Sequence, residues 1–251
     1  MKQSAITTYL DDLFTITTID DYSLNGLQVE GSSEVNHIGF AVDSGLEVFE
    51  KAVKLGVDFL IVHHGLFWKG ADTRMVGVYG KRVRTLLDAD ISLYGVHLPL
   101  DMHDILGNNV ELIRIIGGKV TGGIGKHGSG YIGKIGVCEP QSLSTIADTY
   151  RLTLGATPTI IGNASTKVTK IAALSGAASR GDLLDAAAQG IELFITGEQS
   201  EWYHDAADYG ISVMFLGHHA SETTGVRALQ KVMSEQFSAI KTVFIECPTG
   251  L

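Results

Sequence analysis

The sequence predicts an α/β protein of two similar α/β lobes, an internal pseudo-repeat, with a metal site at the junction of the lobes. Three observations carry that expectation. Short apolar runs rich in Val, Ile, Leu and Phe alternate with segments of helical spacing along most of the chain. The stretch Lys54-Leu-Gly-Val-Asp-Phe-Leu-Ile-Val62 lines up with Ala188-Gln-Gly-Ile-Glu-Leu-Phe-Ile-Thr196, Gly56 falling on Gly190. Imidazoles and carboxylates follow the apolar runs directly, at the strand ends where open α/β sheets bind ligands.

Composition sets the bounds. A chain of 251 residues, 45% apolar and 19% charged, has enough material for one large or two small cores. The formal charge of −9, with no basic stripe, argues against tight binding to a phosphate backbone. Cys138 and Cys247 lie far apart and read as reduced, buried thiols of a cytoplasmic protein. The first residues lack the apolar run of a secretory signal, and no apolar stretch approaches the roughly 20 residues of a membrane span, so no membrane partner is expected.

Taken in order, the first lobe is expected over 1–116. Ile6, Leu10 and Leu13 have helical spacing over 2–13; residues 20–28, with an Asn25-Gly26 turn signal, read as a solvated loop. Strands are then expected at 37–42, 58–62 and 91–96, alternating with helices at 46–55, 78–88 and 106–116. This order implies a largely parallel sheet with right-handed crossovers. Residues 117–136 are dense in glycine and read as a hairpin or the connection between lobes. They contain Gly128-Ser-Gly-Tyr-Ile-Gly133, which satisfies a nucleotide-binding pattern only formally. The β-like run 131–138 follows where a helix amino terminus would have to receive phosphates, and Ile135 stands where a P-loop needs Ser or Thr. The second lobe, 137–251, is expected to hold helices at 143–152, 182–189, 200–208 and 222–235. Its strands fall at 159–161, 168–174, 191–196, 211–216 and 242–247.

The candidate site starts from Val57-Asp-Phe-Leu-Ile-Val-His-His-Gly65, an apolar strand ending on His63 and His64. Adjacent strand residues point to opposite faces, so the two imidazoles should splay and hold different partners around one space. Each half also carries a His-x-x-x-carboxylate after an apolar strand: His97-Leu-Pro-Leu-Asp101, and His218-His-Ala-Ser-Glu222. A pseudo-twofold would bring these strand ends face to face. His63, His64, Asp101, His218 and Glu222 mix neutral imidazoles with hard carboxylates, the donor set of Zn, Mn, Fe, Co or Ni. Five donors suit two ions: His63 and Asp101 on one, His64 and His218 on the other, Glu222 bridging. His97, Glu198, His204 and His219 are candidates for acid/base work or for orienting the ligands, His97 and Glu198 foremost.

The motifs Ser23-Leu-Asn-Gly-Leu-Gln-Val-Glu-Gly31, Val62-His-His-Gly-Leu-Phe-Trp-Lys-Gly70, Tyr94-Gly-Val-His-Leu-Pro-Leu-Asp101, Thr196-Gly-Glu198 and Gly217-His-His-Ala-Ser-Glu222 together resemble the NIF-three-like family, in its short YbgI type. The resemblance spans nearly the whole chain, without the extra central domain of longer members. It implies a dinuclear metal site on the same five residues, a toroidal homohexamer, and a label of GTP cyclohydrolase 1 type 2 homologue. The expected activity is hydrolysis of a small nucleotide-like substrate through a hydroxide bridging the two metal ions. The alternatives are a non-enzymatic, ring-forming metal-binding protein, and a phosphoesterase or nuclease linked to DNA metabolism.

Overall fold

The computed structural model describes residues 1–250 and contains two compact units. The first comprises Met1–Leu100 and Val226–Cys247, the second Asp101–Gly225 and Pro248–Leu251, of which Leu251 is not described. The chain thus divides where it enters and leaves the second unit, and the glycine-rich stretch does not mark the division. Residues 226–247 belong with the first unit because the last strand adds to the edge of its sheet.

In the first unit the elements are α1 (Gln3–Phe14), β1 (Gly26–Val29), β2 (His37–Asp43), α2 (Leu46–Leu55), β3 (Phe59–His64), α3 (Gly77–Asp88) and β4 (Ser92–Gly95). The chain continues through α4 (Leu98–Met102) into the second unit, with α5 (Asn108–Ile115), β5 (Lys119–His127), β6 (Gly130–Ser142), α6 (Leu143–Leu154), β7 (Thr159–Ile161) and β8 (Lys167–Leu174). Next come α7 (Arg180–Ala188), β9 (Leu193–Thr196), α8 (Tyr203–Tyr209) and β10 (Ser212–Phe215). The long α9 (His218–Gln236) leads back to β11 (Lys241–Phe244).

The first sheet has the order β1-β4-β3-β2-β11, parallel except for the antiparallel edge strand β1. Its central strands are buried on both faces, which is why they read as unbroken apolar runs. Leu60 and Val62 join Val48, Phe49 and Leu86 of α2 and α3 in one core. On the opposite pleat Phe59 and Ile61 are fully buried, Phe59 stacks on Tyr94, and the Tyr94 hydroxyl donates to Asp11 of α1. Removing such side chains from water stabilises the fold by roughly 1.5–3 kcal/mol each.

The second sheet, β5-β6-β8-β9-β10-β7, is mixed rather than largely parallel. β8, β9 and β10 pair in parallel, whereas β5 with β6, β6 with β8 and β7 with β10 pair antiparallel. The antiparallel share comes from the glycine-rich stretch, which forms the hairpin of β5 and β6. His127 pairs with Gly130 around a two-residue turn, and Gly128 takes a φ of 56°. The helix that follows, α6, is capped by Ser142, whose hydroxyl accepts from the Thr145 amide.

The pseudo-repeat is visible in the topology. Consecutive strands β1, β2, β3 and β4 lie in the order β1-β4-β3-β2, and β7, β8, β9 and β10 in the order β7-β10-β9-β8, with the same senses. Phe59 pairs with Ser92 as Leu193 pairs with Ser212, so the alignment of the two stretches is one of register as well.

Two smaller expectations are revised. The cysteines are half-buried, Cys138 beside the second core and Cys247 beside the first. Residues 20–28 are not a solvated loop: β1 begins at Gly26, and Asp21 and Ser23 are buried. Among the described residues no helix is long and apolar enough to cross a membrane.

One glycine pins this region. The Gly31 amide donates to Ser92 Oγ, the Ser32 amide donates to Asp90 O, and a Cβ at residue 31 would run into the Asp90 carbonyl. Gly31→Ala should therefore destabilise the protein by about 1–3 kcal/mol, read as a lower urea midpoint with an unchanged m-value.

Candidate metal centre

β3 ends on His63 and His64, and the first unit adds His97 two residues past β4. Alternation along the strand sends His63 with Ile61 and His64 with Val62. Beyond the sheet end the two rings nevertheless stand together, centroids 4.7 Å apart and tilted by 47°. His97 lies 5.1 Å from His63 and 5.7 Å from His64, and one ring nitrogen of each histidine is within 4.8 Å of the others.

Each ring is oriented from behind. His63 Nδ1 donates to the Val96 carbonyl at 3.0 Å, and His64 Nδ1 to Asp43 Oδ1 at 2.7 Å. His97 Nδ1 donates to Asp21 Oδ1 and Oδ2 at 2.9 and 3.1 Å. A carbonyl or an ionised carboxylate only accepts, so every Nδ1 carries the hydrogen and every neutral ring keeps its lone pair on Nε2. Sheet register supplies one of these partners: Asp43 is the β2 residue paired with His64.

Asp21 is the hub of this unit. It is 5% exposed and also accepts from the Ser23 amide, the Asn25 side chain and the Leu98 amide. Asn25 Oδ1 in turn accepts from the His97 amide at 2.7 Å. Burial alone would raise the Asp21 pKa. The hydrogen bond and charge of His97, with the Asn25 and Ser23 donors, outweigh it and bring the carboxyl down to about 2. Behind the His-His-Gly turn, Gln28 Oε1 accepts from the Leu66 amide at 2.7 Å, and a Cβ on Gly65 or Gly95 would overlap the Gln28 amide group.

The second unit presents Asp101, His218 and Glu222. Asp101, 4% exposed, accepts from Asn108 Nδ2 at 2.8 Å and Ser175 Oγ at 3.2 Å; fully buried Asn108 also accepts from the Gly225 amide. His218 opens α9, with Glu222 one turn on. His218 Nδ1 donates to Glu198 Oε1 at 2.7 Å, and its Nε2 faces Glu222 Oε1 at 3.3 Å. Next to Ser175, Gly176 has a φ of 64°, and a Cβ there would meet Glu222 Oε1 and lie 3.1 Å from His218 Nε2. Only glycine leaves room for both groups.

These donors fit a divalent transition metal. When His218 is neutral, its Nε2 lone pair confronts a carboxylate oxygen, which repels it unless a cation stands near both. In the first unit three imidazoles with the same committed Nδ1 gather at one strand end. A tethered imidazole with a carboxylate or carbonyl behind it is the usual arrangement of a metal-bound histidine.

Of the sequence-predicted residues, His63, His64 and His97 come together in the first unit, and Asp101, His218, Glu222 and Glu198 carry the network of the second. His204 is exposed on α8 against Tyr203 and takes no part, and His219 is buried on α9 beside His218. Asp21, Asp43, Gln28, Asn108 and Gly176 were not singled out from the sequence. Two local signals pointed to the first three of them, the polar run 20–28 and the carboxylate at the end of the strand before His63.

Two outcomes follow from these networks. Glu222→Gln converts the His218–Glu222 confrontation into an N–H···N hydrogen bond. At pH 8, where imidazole is ordinarily neutral, the metal-free variant should be more stable than metal-free wild type by about 1 kcal/mol, seen as a higher Tm. Asp21 titrates at about 2 in the fold against an ordinary 3.8, so its contribution is complete above about pH 4 and lost as pH falls toward 2. The stability deficit of Asp21→Asn, measured by urea unfolding, should shrink as the pH is lowered from about 4 toward 2.

Comparison with known proteins agrees over the full chain. Residues 1–249 match Duf34/NIF3 (NGG1p interacting factor 3). A Pyrococcus horikoshii protein named GTP cyclohydrolase 1 type 2 homolog is 42% identical over 256 residues, covering 100% of both chains. The solved structure of protein ybgI, described as of unknown function, superimposes with a TM-score of 0.90 at 35% identity and covers 100% of both chains. TTHA1606 from Thermus thermophilus does so with a TM-score of 0.88 at 36% identity, again over 100% of both. Sequence and fold agree, and the chain belongs to the Duf34/NIF3 family.

Proposed function

We propose that this protein is a dinuclear metal-dependent hydrolase of the GTP cyclohydrolase 1 type 2 kind, acting on a small nucleotide-like substrate. One observation carries the reading: His63, His64, His97 and His218 all donate Nδ1–H to a fixed acceptor, leaving Nε2 as the basic nitrogen in each. The name shared by the P. horikoshii relative supports the substrate class.

In this reading His63, His64, Asp101, His218 and Glu222 would hold two divalent ions of the Zn, Mn, Fe, Co or Ni group. Bound there, the ions would supply Lewis acidity and lower the pKa of water. The protein's own groups do the rest. Asp43, Glu198 and the Val96 carbonyl orient the ligating rings. Asn108 and Ser175 hold the Asp101 carboxylate in place through Oδ1. His97 passes a proton at Nε2 while Asp21 steadies the charged ring; Glu198 acts through His218. A toroidal homohexamer and a cytoplasmic location belong to the same proposal, on the strength of the family resemblance. The net charge of −9 favours a short nucleotide over a long polyanion.

The test is metal content per chain by mass spectrometry, on protein purified without chelator. About two ions per chain in wild type, falling sharply in Glu222→Ala, is the expected result. His97→Asn should keep the metal yet lose about 10²–10⁴-fold in turnover of GTP by the loaded protein. A wild type that stays empty after incubation with Zn, Mn, Fe, Co and Ni sinks the reading.

A further inference from the structure

Beside the three imidazoles of the first unit stands Trp68, and none of the roles above uses it. Its neighbour Phe67 turns into the apolar core and packs edge-on against Tyr79. Trp68, one residue on, faces the other way: half-buried, its ring centroid 5.1 Å from that of His97 at 71°, and 6.3 Å from that of His64. The indole is fixed at several points. Its Nε1 donates to the Gly65 carbonyl at 2.8 Å, and its backbone forms a bridge with Ser23. On either side, the Leu24 amide donates to Phe67 O and the Lys69 amide to Tyr22 O, at 3.0 and 2.7 Å. Gln28 holds the Leu66 and Phe67 amides from below.

A core position would serve this large side chain better in stability terms, since a partly exposed indole leaves some apolar area in water. A rigid aromatic kept at the edge of a polar, ligand-binding cluster is suited to one kind of guest, a flat π-system laid against it. Every nucleobase has such a face; ribose and phosphate do not.

We infer that Trp68 is the specificity-determining wall of the site and recognises the base of the substrate, a planar heteroaromatic ring of purine size. This deepens the hydrolase reading and rests on it for which bond is cut. Stacking on Trp68 holds the ring beside His97 and His64, so the groups that act on it meet it edge-on. Sugar and phosphates contribute little to recognition at this wall.

The protein reports on itself, because it has two tryptophans and the other, Trp202, is 6% exposed in the second unit between Phe194 and Phe215. Tryptophan emission is followed on the full chain, metal-loaded and metal-free, with guanosine, GTP and ribose 5-phosphate, and affinities are taken by calorimetry. Guanosine and GTP should both quench, ribose 5-phosphate should not, and Trp68→Ala should weaken guanosine at least about tenfold. Trp68→Phe, which keeps a ring face but not the Nε1 hydrogen bond, should stay within about threefold of wild type. Unchanged guanosine affinity in Trp68→Ala overturns the inference. So does equal binding of ribose 5-phosphate, or an equal loss in the Phe and Ala variants. Metal content is measured on the same samples. A chain that takes up no metal but binds guanosine through Trp68 refutes the hydrolase reading and leaves base recognition standing, whereas full metal content without base binding does the reverse.

Discussion

An imidazole has two nitrogens, and whatever accepts the hydrogen of one decides what the other can do. In this protein that decision is made by backbone and carboxylate groups behind the rings: Val96 O, Asp43, Asp21 and Glu198. Each is set by the fold. Val96 follows β4 and is bonded through its amide to Val62, so its carbonyl stands beside the end of β3. Asp43 is placed by parallel register one strand over from His64. Moving any of these strands by one residue would turn the acceptor to the other face and leave the ring without its tether. The Nε2 chemistry of the site therefore depends on the β2–β3–β4 pairing, far more than on the histidines being next to each other in sequence.

The two halves use one topology for different chemistry. In the first unit the strand ends carry imidazoles; at the equivalent place after β9 the second carries Gly197-Glu198, and its donors come instead from helices. Asp101 sits on a helix of five residues, too short to hold a side chain by its own hydrogen bonds. Asn108, Ser175 and, through Ser175, Asn109 supply the rigidity that α4 lacks. Glycine does corresponding work around His218: Gly176 and Gly197 remove side-chain volume from the turns packed on the start of α9, where a Cβ at residue 197 would come within 2.9 Å of the His218 Cα.

Much of this was legible in the sequence because it rests on local pattern. The apolar period found β2, β3 and α2 close to their ends, and the aligned stretches 54–62 and 188–196 foretold two similar α/β lobes. What escaped depends on pairing between distant segments. The glycine-rich stretch reads in sequence as a hairpin or a connection between lobes, and only the pairing of β5 with β6 decides for the hairpin. Asp21 lies in a run that looks like a solvated turn, and only the long-range bonds to His97 and Leu98 bury it. The unit boundary at 100/101 escaped for a related reason: it falls inside a continuous helix, where composition does not change.

The cost of this arrangement is local. Asp21, Asp101 and Asn108 are buried polar groups that a core of apolar residues would replace with less desolvation. Asp21 has four partners and Asn108 makes a three-way bridge. Such networks hold one geometry and penalise departures from it. The exception is His218 Nε2 against Glu222 Oε1, where two groups that would both rather accept are kept 3.3 Å apart by a helical turn and by the missing side chain of Gly176. A fold selected for stability alone would relieve that contact with one substitution, since residue 222 is on a helix and Gln differs from Glu by a single atom. When His218 is neutral a cation near both groups would relieve the contact, as a proton on His218 would, and in either case it is the carboxylate of Glu222, not the helix that carries it, that sets the local charge.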